Sequence, residues 1–287
     1  MIRRDFLKQS FAGATGTILF PSLLSSCSSK HDPLRDIGLI TNVVQTRMRT
    51  DHRETMRQLA AMGYKYLEFG GVFRENPPEL LRFMEEIGLK PLAGGTNISG
   101  LLGEGLEQQI EACLEMNKAY LVCYWPWMDD GQNPIMDQVK FAVEEFQKIG
   151  EQCQRNGLRF AFHNHEKEFW SLEGQVIYEY ILEQTDPELV TMEVDLYWAH
   201  KGKADLADYF QRYPGRFELV HVKDSYESES MQSFACVGEG IIDFPDLLSY
   251  REVAGFKHLI VEHDRPPQDY ELECARSSIN YLNSITF

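Results

Sequence analysis

The sequence predicts an α/β fold, a single-domain (β/α)₈ TIM barrel, and three observations carry that prediction. A helix end, a glycine, an apolar residue, a basic residue and a short strand-like run recur as AMGYKYLEF, EIGLKPLAG, RNGLRFAFH and VAGFKHLIV. Their glycines, Gly63, Gly88, Gly157 and Gly255, stand 25, 69 and 98 residues apart, about one, two and three βα units of ordinary size. Strand-like and helix-like stretches alternate strictly, and the strand-like runs are apolar throughout, as in a parallel sheet covered on both faces. Once an N-terminal segment is set aside, the remaining length suits a barrel of about 250 residues. The GxGxxG fingerprint of an open dinucleotide-binding sheet is missing.

The segments follow in order. Arg3 and Arg4 stand in RRDFLK ahead of an apolar stretch from Phe11 to Leu24, shorter than the about 20 residues that span a bilayer. This reads as a twin-arginine export signal. The stretch closes on Leu24, Ser25, Ser26 and Cys27, which resembles a lipobox, so Cys27 is the expected lipid anchor of an exported, periplasmic or membrane-anchored lipoprotein. Residues 28 to 35 read as a polar tether, and 36 to 287 as the barrel. Strands are expected at Ile37 to Ile40, Tyr64 to Phe69, Lys90 to Ala93, Ala119 to Tyr124, Arg159 to His163, Val190 to Asp195, Phe217 to Val222 and His258 to Glu262. The recurring glycines suit the left-handed position that ends a helix. Between the strands, Pro77 to Ile87 starts on proline, and Met136 to Asn156 places Val139, Phe141, Val143, Phe146 and Ile149 toward a core.

Charge excludes one class of partner. The chain has 44 acidic and 28 basic residues, a formal net charge of −16, and shows no basic aromatic stripe. Phosphate backbones would repel it, so nucleic acid is not an expected partner. Apart from Cys27 there are five cysteines, Cys113, Cys123, Cys153, Cys236 and Cys274. Their odd number, the lack of CxxC and their apolar neighbours predict buried thiols rather than disulfides or a zinc site.

Four expected strands end on a residue that can ligate a metal: RFAFHNH at His163, VTMEVD at Asp195, FELVH at His221 and HLIVE at Glu262. In a parallel barrel all C-terminal strand ends meet at one face, where barrel enzymes place their sites. Two imidazoles and two carboxylates without a thiolate suit one divalent ion, Mn²⁺, Zn²⁺, Mg²⁺, Co²⁺ or Fe²⁺. Folding before export, with the cytosolic pool choosing the ion, favours Mn²⁺. Trp125, Trp127, Trp170 and Trp198 follow strand ends and offer flat faces to a sugar. Lys223 is placed to polarise a substrate oxygen, with a salt bridge to Asp224 or Glu239 as its structural alternative. Glu68 and Arg265 are further substrate-binding candidates. No P-loop is present, so phosphate binding is not supported.

The order FHNH, VDLYW, VHVKD, VGEGIIDFP, IVEHD resembles the sugar phosphate isomerase/epimerase superfamily with the xylose-isomerase-like barrel, over roughly Glu68 to Asp264. The resemblance implies Asp195, His221 and Glu262 as metal ligands, with His163 where many members carry a glutamate. It also implies a metal-dependent isomerase or epimerase acting on a sugar or keto sugar, in which two glutamates exchange a carbon-bound proton through a cis-enediolate. With His163 in place of one glutamate, Glu168, Glu166 or His165 would supply the second base, beside Glu262. Alternatively, a one-base reaction such as β-elimination or hydration at a keto sugar would suffice. A sugar-binding lipoprotein without turnover is a rival reading. The apurinic endonuclease branch of the fold is disfavoured by the acidic charge and export signal. A homo-oligomer stays open.

Overall fold

All eight expected strands form, and each hydrogen-bonds to its sequence neighbours. They are β1 (Gly38–Ile40), β2 (Tyr66–Phe69), β3 (Lys90–Asn97), β4 (Tyr120–Trp125), β5 (Arg159–His163), β6 (Val190–Asp195), β7 (Leu219–Val222) and β8 (His258–Val261). The parallel barrel closes where Gly38 and Leu39 of β1 pair with Ile260 and Val261 of β8. This computed structural model describes residues 32–70, 75–127, 133–264 and 266–287. The export signal, Cys27 and Arg265 therefore lie outside the described residues. No helix among the described residues is long and apolar enough to cross a membrane.

Side-chain alternation along the strands decides what the barrel encloses. On β5, Phe160 and Phe162 point outward onto Phe146 of the helix Met136–Arg155, with ring centroids 5.4 and 5.0 Å apart. Arg159, Ala161 and His163 therefore face in. On that helix Val139, Val143, Phe146 and Ile149 are buried as expected, whereas Phe141 is 37% exposed. It falls off the stripe that the other four share at helical spacing. The helix Pro77–Ile87 forms with the expected bounds and ends at Gly88, whose φ of +79° is the left-handed conformation that favours glycine.

The segments that flank β1 and β8 meet on the barrel. Pro33–Arg35, the last residues of the expected tether, form a 3₁₀ turn with Leu34 buried. Arg35 donates to the carbonyls of Leu282 and Ile285 at 3.0 and 3.1 Å.

The cysteine expectation needs correction. Cys113, Cys123 and Cys153 are buried thiols, but Cys236 and Cys274 form a disulfide with Cα atoms 5.3 Å apart. Their separation of 38 residues hides the pairing, because only the docking of the helix Glu271–Ser284 brings Cys274 to the loop after β7. Closing a loop of that length stabilises by about 4 kcal/mol on chain entropy.

Candidate metal centre

Register sets the level of the candidate ligands. Asp195 pairs with His221, and His163 pairs with Glu193, two residues before Asp195 on the same face of β6. Ligand atoms of His163, Asp195, His221 and Glu262 all lie within 4.8 Å of one another, and all four residues are buried. The structure thus brings together the whole quartet read from the strand ends.

Each donor is aimed by a neighbour. Asp195 caps the helix Leu196–Lys201, its Oδ1 accepting from Trp198 N at 2.8 Å. Its Oδ2 is buried and accepts no hydrogen bond; the Lys223 ammonium faces it from 3.6 Å, which leaves its lone pairs available to a closer cation. Asn164 stitches β5 to β6: Asp195 N donates to its Oδ1 at 3.0 Å, and its Nδ2 donates to the Asp195 carbonyl at 3.3 Å.

Glu193 was not among the candidates read from the sequence, and it lies between both histidines. Its Oε2 is 3.1 Å from His163 Nδ1, and its Oε1 is 3.4 Å from His221 Nε2. Glu68 Oε2 is 3.0 Å from the same His221 nitrogen, and Tyr124 OH holds the other Glu68 oxygen at 2.6 Å. A carboxylate on one ring nitrogen fixes a ligand histidine's tautomer and frees the other nitrogen. Here His163 Nε2 and His221 Nδ1 are the nitrogens left for the cluster, and His221 Nδ1 contacts Glu262 Oε2. The sequence held a signal: in VTMEVD the acid two places before Asp195 must share its face.

Crowding of acids drives the electrostatics. Burial, followed by repulsion from Glu68, pushes the Glu193 carboxyl up to about 8. Burial likewise holds Asp195 well above the ordinary range, outweighing the pull of Lys223. Burial works against the His221 cation, but Glu193, Glu68 and Glu262 outweigh it and hold that pKa well above its ordinary value. Burial and the nearby His221 and His165 keep His163 neutral, its pKa well below normal. Burial alone would raise Glu262, yet Lys223 and His221 hold it well below the carboxylate range.

Lys223 is fully buried. Its Nζ lies 2.6 Å from Asp264, 3.6 Å from Asp195 and 3.7 Å from Glu262. The expected partners, Asp224 and Glu239, are not the ones it has. Asp224 turns away: its Oδ1 accepts from Ser225 N at 2.7 Å and Ile242 N at 3.2 Å, and its Oδ2 from Gly238 N at 3.0 Å and Gly240 N at 2.9 Å. A Cβ at Gly240 would stand 2.3 Å from Asp224 Oδ1. The joint occurrence of HVKD and GEG thus has a structural cause, a carboxylate pinning a loop.

Beyond the quartet, His165 forms part of an aromatic wall. Its ring lies 5.0 Å from His163, 5.0 Å from Trp125 and 5.4 Å from Trp198. His165 Nδ1, Trp125 Nε1 and Trp198 Nε1 are buried without hydrogen-bond partners. Burial, then Lys223, lowers the His165 pKa to about 3. Trp127 is buried, and its Nε1 donates to Glu168 Oε1 at 3.0 Å. Glu168 Oε2 accepts from the His165 backbone N at 2.6 Å, and burial pushes this carboxyl up to about 7. Trp170 is 39% exposed, with Lys167 Nζ 5.9 Å from its ring centroid.

Two imidazoles and two carboxylates, one with an oxygen that accepts no hydrogen bond, fit a divalent ion of the harder kind. Ligand atoms of Cys236, His263 and Cys274 also lie within 4.8 Å of one another, but the two sulfurs are spent in the disulfide.

Comparison with known proteins agrees with the fold. Residues 56–285 match the family model for the xylose isomerase-like TIM barrel. An inosose dehydratase of Mesomycoplasma hyopneumoniae is 24% identical over 270 residues, 81% of this chain and 88% of the relative. A solved sugar phosphate isomerase/epimerase from Parabacteroides distasonis superposes with a TM-score of 0.74 at 23% identity, covering 90% of this chain and 96% of that one. The IOLI protein, solved with a bound zinc atom, gives a TM-score of 0.70 at 15% identity, covering 86% and 96%.

Proposed function

Because the chain belongs to the xylose isomerase-like TIM barrel family, we propose that it is a divalent-metal-dependent enzyme of keto sugars or keto cyclitols. It removes the proton next to the carbonyl and expels the oxygen substituent on the following carbon, a dehydratase- or lyase-type β-elimination. The observation that carries this reading is an unengaged base beside the metal quartet. His165 Nδ1 stands in the site wall without a partner, whereas both oxygens of Glu168 are engaged and Glu262 is tied to His221 and Lys223. Epimerisation by two bases needs one on each face of the substrate carbon; elimination needs one base and one donor. The inosose dehydratase relative supports the same direction.

The roles follow from position. His163, Asp195, His221 and Glu262 would hold the ion, and Glu193 and Glu68 orient the two imidazoles. The bound ion supplies Lewis-acid polarisation of the carbonyl. His165 accepts the carbon-bound proton at Nδ1, and Glu168 with Trp127 fixes the loop that carries it. Lys223 donates a proton toward the departing oxygen, since its ammonium is held charged beside Asp195, Glu262 and Asp264. Trp125 and Trp198 line the wall against the ring face. The same proposal places the enzyme outside the cytosol, a reading supported by the Arg3–Arg4 leader and by the Cys236–Cys274 disulfide.

The test is NMR in D₂O of metal-loaded protein with keto glycosides, keto cyclitols and free ketoses. Loss of the proton next to the carbonyl together with an unsaturated product is expected. Deuterium exchange with inversion and no elimination would establish epimerisation instead, and binding without exchange would establish a sugar-binding protein.

A further inference from the structure

The wall of the site continues past Lys223. Phe234, whose ring centroid is 5.2 Å from the Lys223 ammonium and 5.9 Å from the His263 ring, also lines a groove of about 500 Å³. That volume lies in the range of small-molecule sites, roughly 300–1,000 Å³. Phe234 is the wall the two share, since its ring also lies 6.0 Å from that of Trp198.

Two tyrosines form its outer wall. Tyr226 and Tyr270 are 48% and 36% exposed, and their hydroxyls reach opposite oxygens of Glu239 at 3.5 and 3.3 Å. One carboxylate thus sets the orientation of both rings. The platform is braced twice: Asp224 holds the backbone on either side of Glu239 through Gly238 N and Gly240 N, and the Cys236–Cys274 disulfide ties the same loop to the C-terminal helix. Fixed aromatic faces with a polar edge from Gln232 and Glu239 match a pyranose, which presents C–H faces to rings and hydroxyls to polar groups. Pre-organisation of this kind lowers the ordering cost of binding.

We propose that this groove is a subsite for a second sugar ring, so that the preferred substrate is a glycoside and not a free monosaccharide. The inference rests on the proposed function in one respect: the carbonyl-bearing ring occupies the centre while its neighbour occupies the groove.

The test separates the two claims. Calorimetry on the whole metal-loaded protein would compare ordinary disaccharides, which lack the ketone and cannot react, with their parent monosaccharides. A disaccharide binding at least tenfold tighter than its monosaccharide is expected. In the Tyr226→Ala/Tyr270→Ala variant that advantage should vanish while monosaccharide affinity stays unchanged, which also shows that the variant is folded. Equal affinities in the unmodified protein, equal losses for both sugars in the variant, or no binding by any disaccharide would each overturn the subsite. Turnover of keto monosaccharides, measured separately, decides the chemistry of the centre whatever the groove does.

Discussion

The two ends of the barrel use the same residue types to opposite effect. At the N-terminal end, Glu218 is saturated: Tyr120 OH donates to it at 3.0 Å, Arg159 Nε at 3.2 Å, and Lys257 Nζ lies 3.0 Å away. His258 packs edge-on against Tyr66 and Tyr120. At the C-terminal end, Glu68, Glu193, Asp195, Glu262 and Asp264 crowd around Lys223 and His221, and Asp195 Oδ2 and His165 Nδ1 accept no hydrogen bond. The N-terminal end matches its carboxylate with cations and contributes stability, although His258 Nδ1 and Arg216 Nε are buried there without partners; the C-terminal end gathers more acids than cations and can hold a metal ion. The surplus of buried acids over cations, more than burial or unpaired atoms, is what marks the functional end.

Substitutions at both ends sharpen that contrast. The largest effect is expected from Asp195→Asn, which keeps the cap on Trp198 N but removes the charge of the oxygen that faces Lys223. Metal content should fall to background and turnover by roughly a thousandfold, about 4 kcal/mol of barrier, with little change in Tm; full occupancy by elemental analysis would remove Asp195 from the centre. At the opposite end, Glu218→Ala leaves Arg159 and Tyr120 without their shared acceptor and should cost about 2–3 kcal/mol of unfolding free energy. Denaturant titration reads the loss, and metal affinity should not move.

Glu193→Gln tests whether a buried acid at the functional end serves orientation and not stability. Metal affinity should drop about 10- to 100-fold, while Tm holds because burial and Glu68 already push this carboxyl up to about 8, so that Gln replaces a group mostly neutral at pH 7; a large fall in Tm with intact metal binding would reverse the assignment. The smallest effect concerns His258, whose pKa burial lowers from 6.5 to about 4. Since the folded value lies below the unfolded one, its contribution is complete above pH 6.5 and is lost as pH falls through 4. Between pH 7 and 4 this amounts to about 2 kcal/mol after allowance for partial exposure, and His258→Gln should flatten that limb of the stability curve.

The sequence disclosed most of the frame because a buried parallel strand is an uninterrupted apolar run with a clear end. Strands β5 and β6 have the expected bounds, and the four terminal residues converge. Glu193 escaped because attention to strand ends favours the last residue, although the two-residue period places its neighbour on the same face. The disulfide and the Lys223–Asp264 pair escaped for a different reason. Both join segments about 40 residues apart whose approach depends on how β7, β8 and the last helix dock. Asp224 showed the reverse problem: a charge beside a lysine in sequence spends all its capacity on backbone amides.

Closure of the barrel by the ends of the chain has a consequence for synthesis. β1 finds one of its two partners only in β8, and Arg35 is tied to a carbonyl 250 residues later. A ribosome must therefore release nearly the whole polypeptide before the first strand is flanked on both sides. Because Glu262 directly follows that last strand, the ion-binding quartet is completed at the same late moment. A truncated product lacking β8 and Glu262 would lack both the seal of the fold and the final donor, so no chain that stops short of Glu262 carries the full quartet.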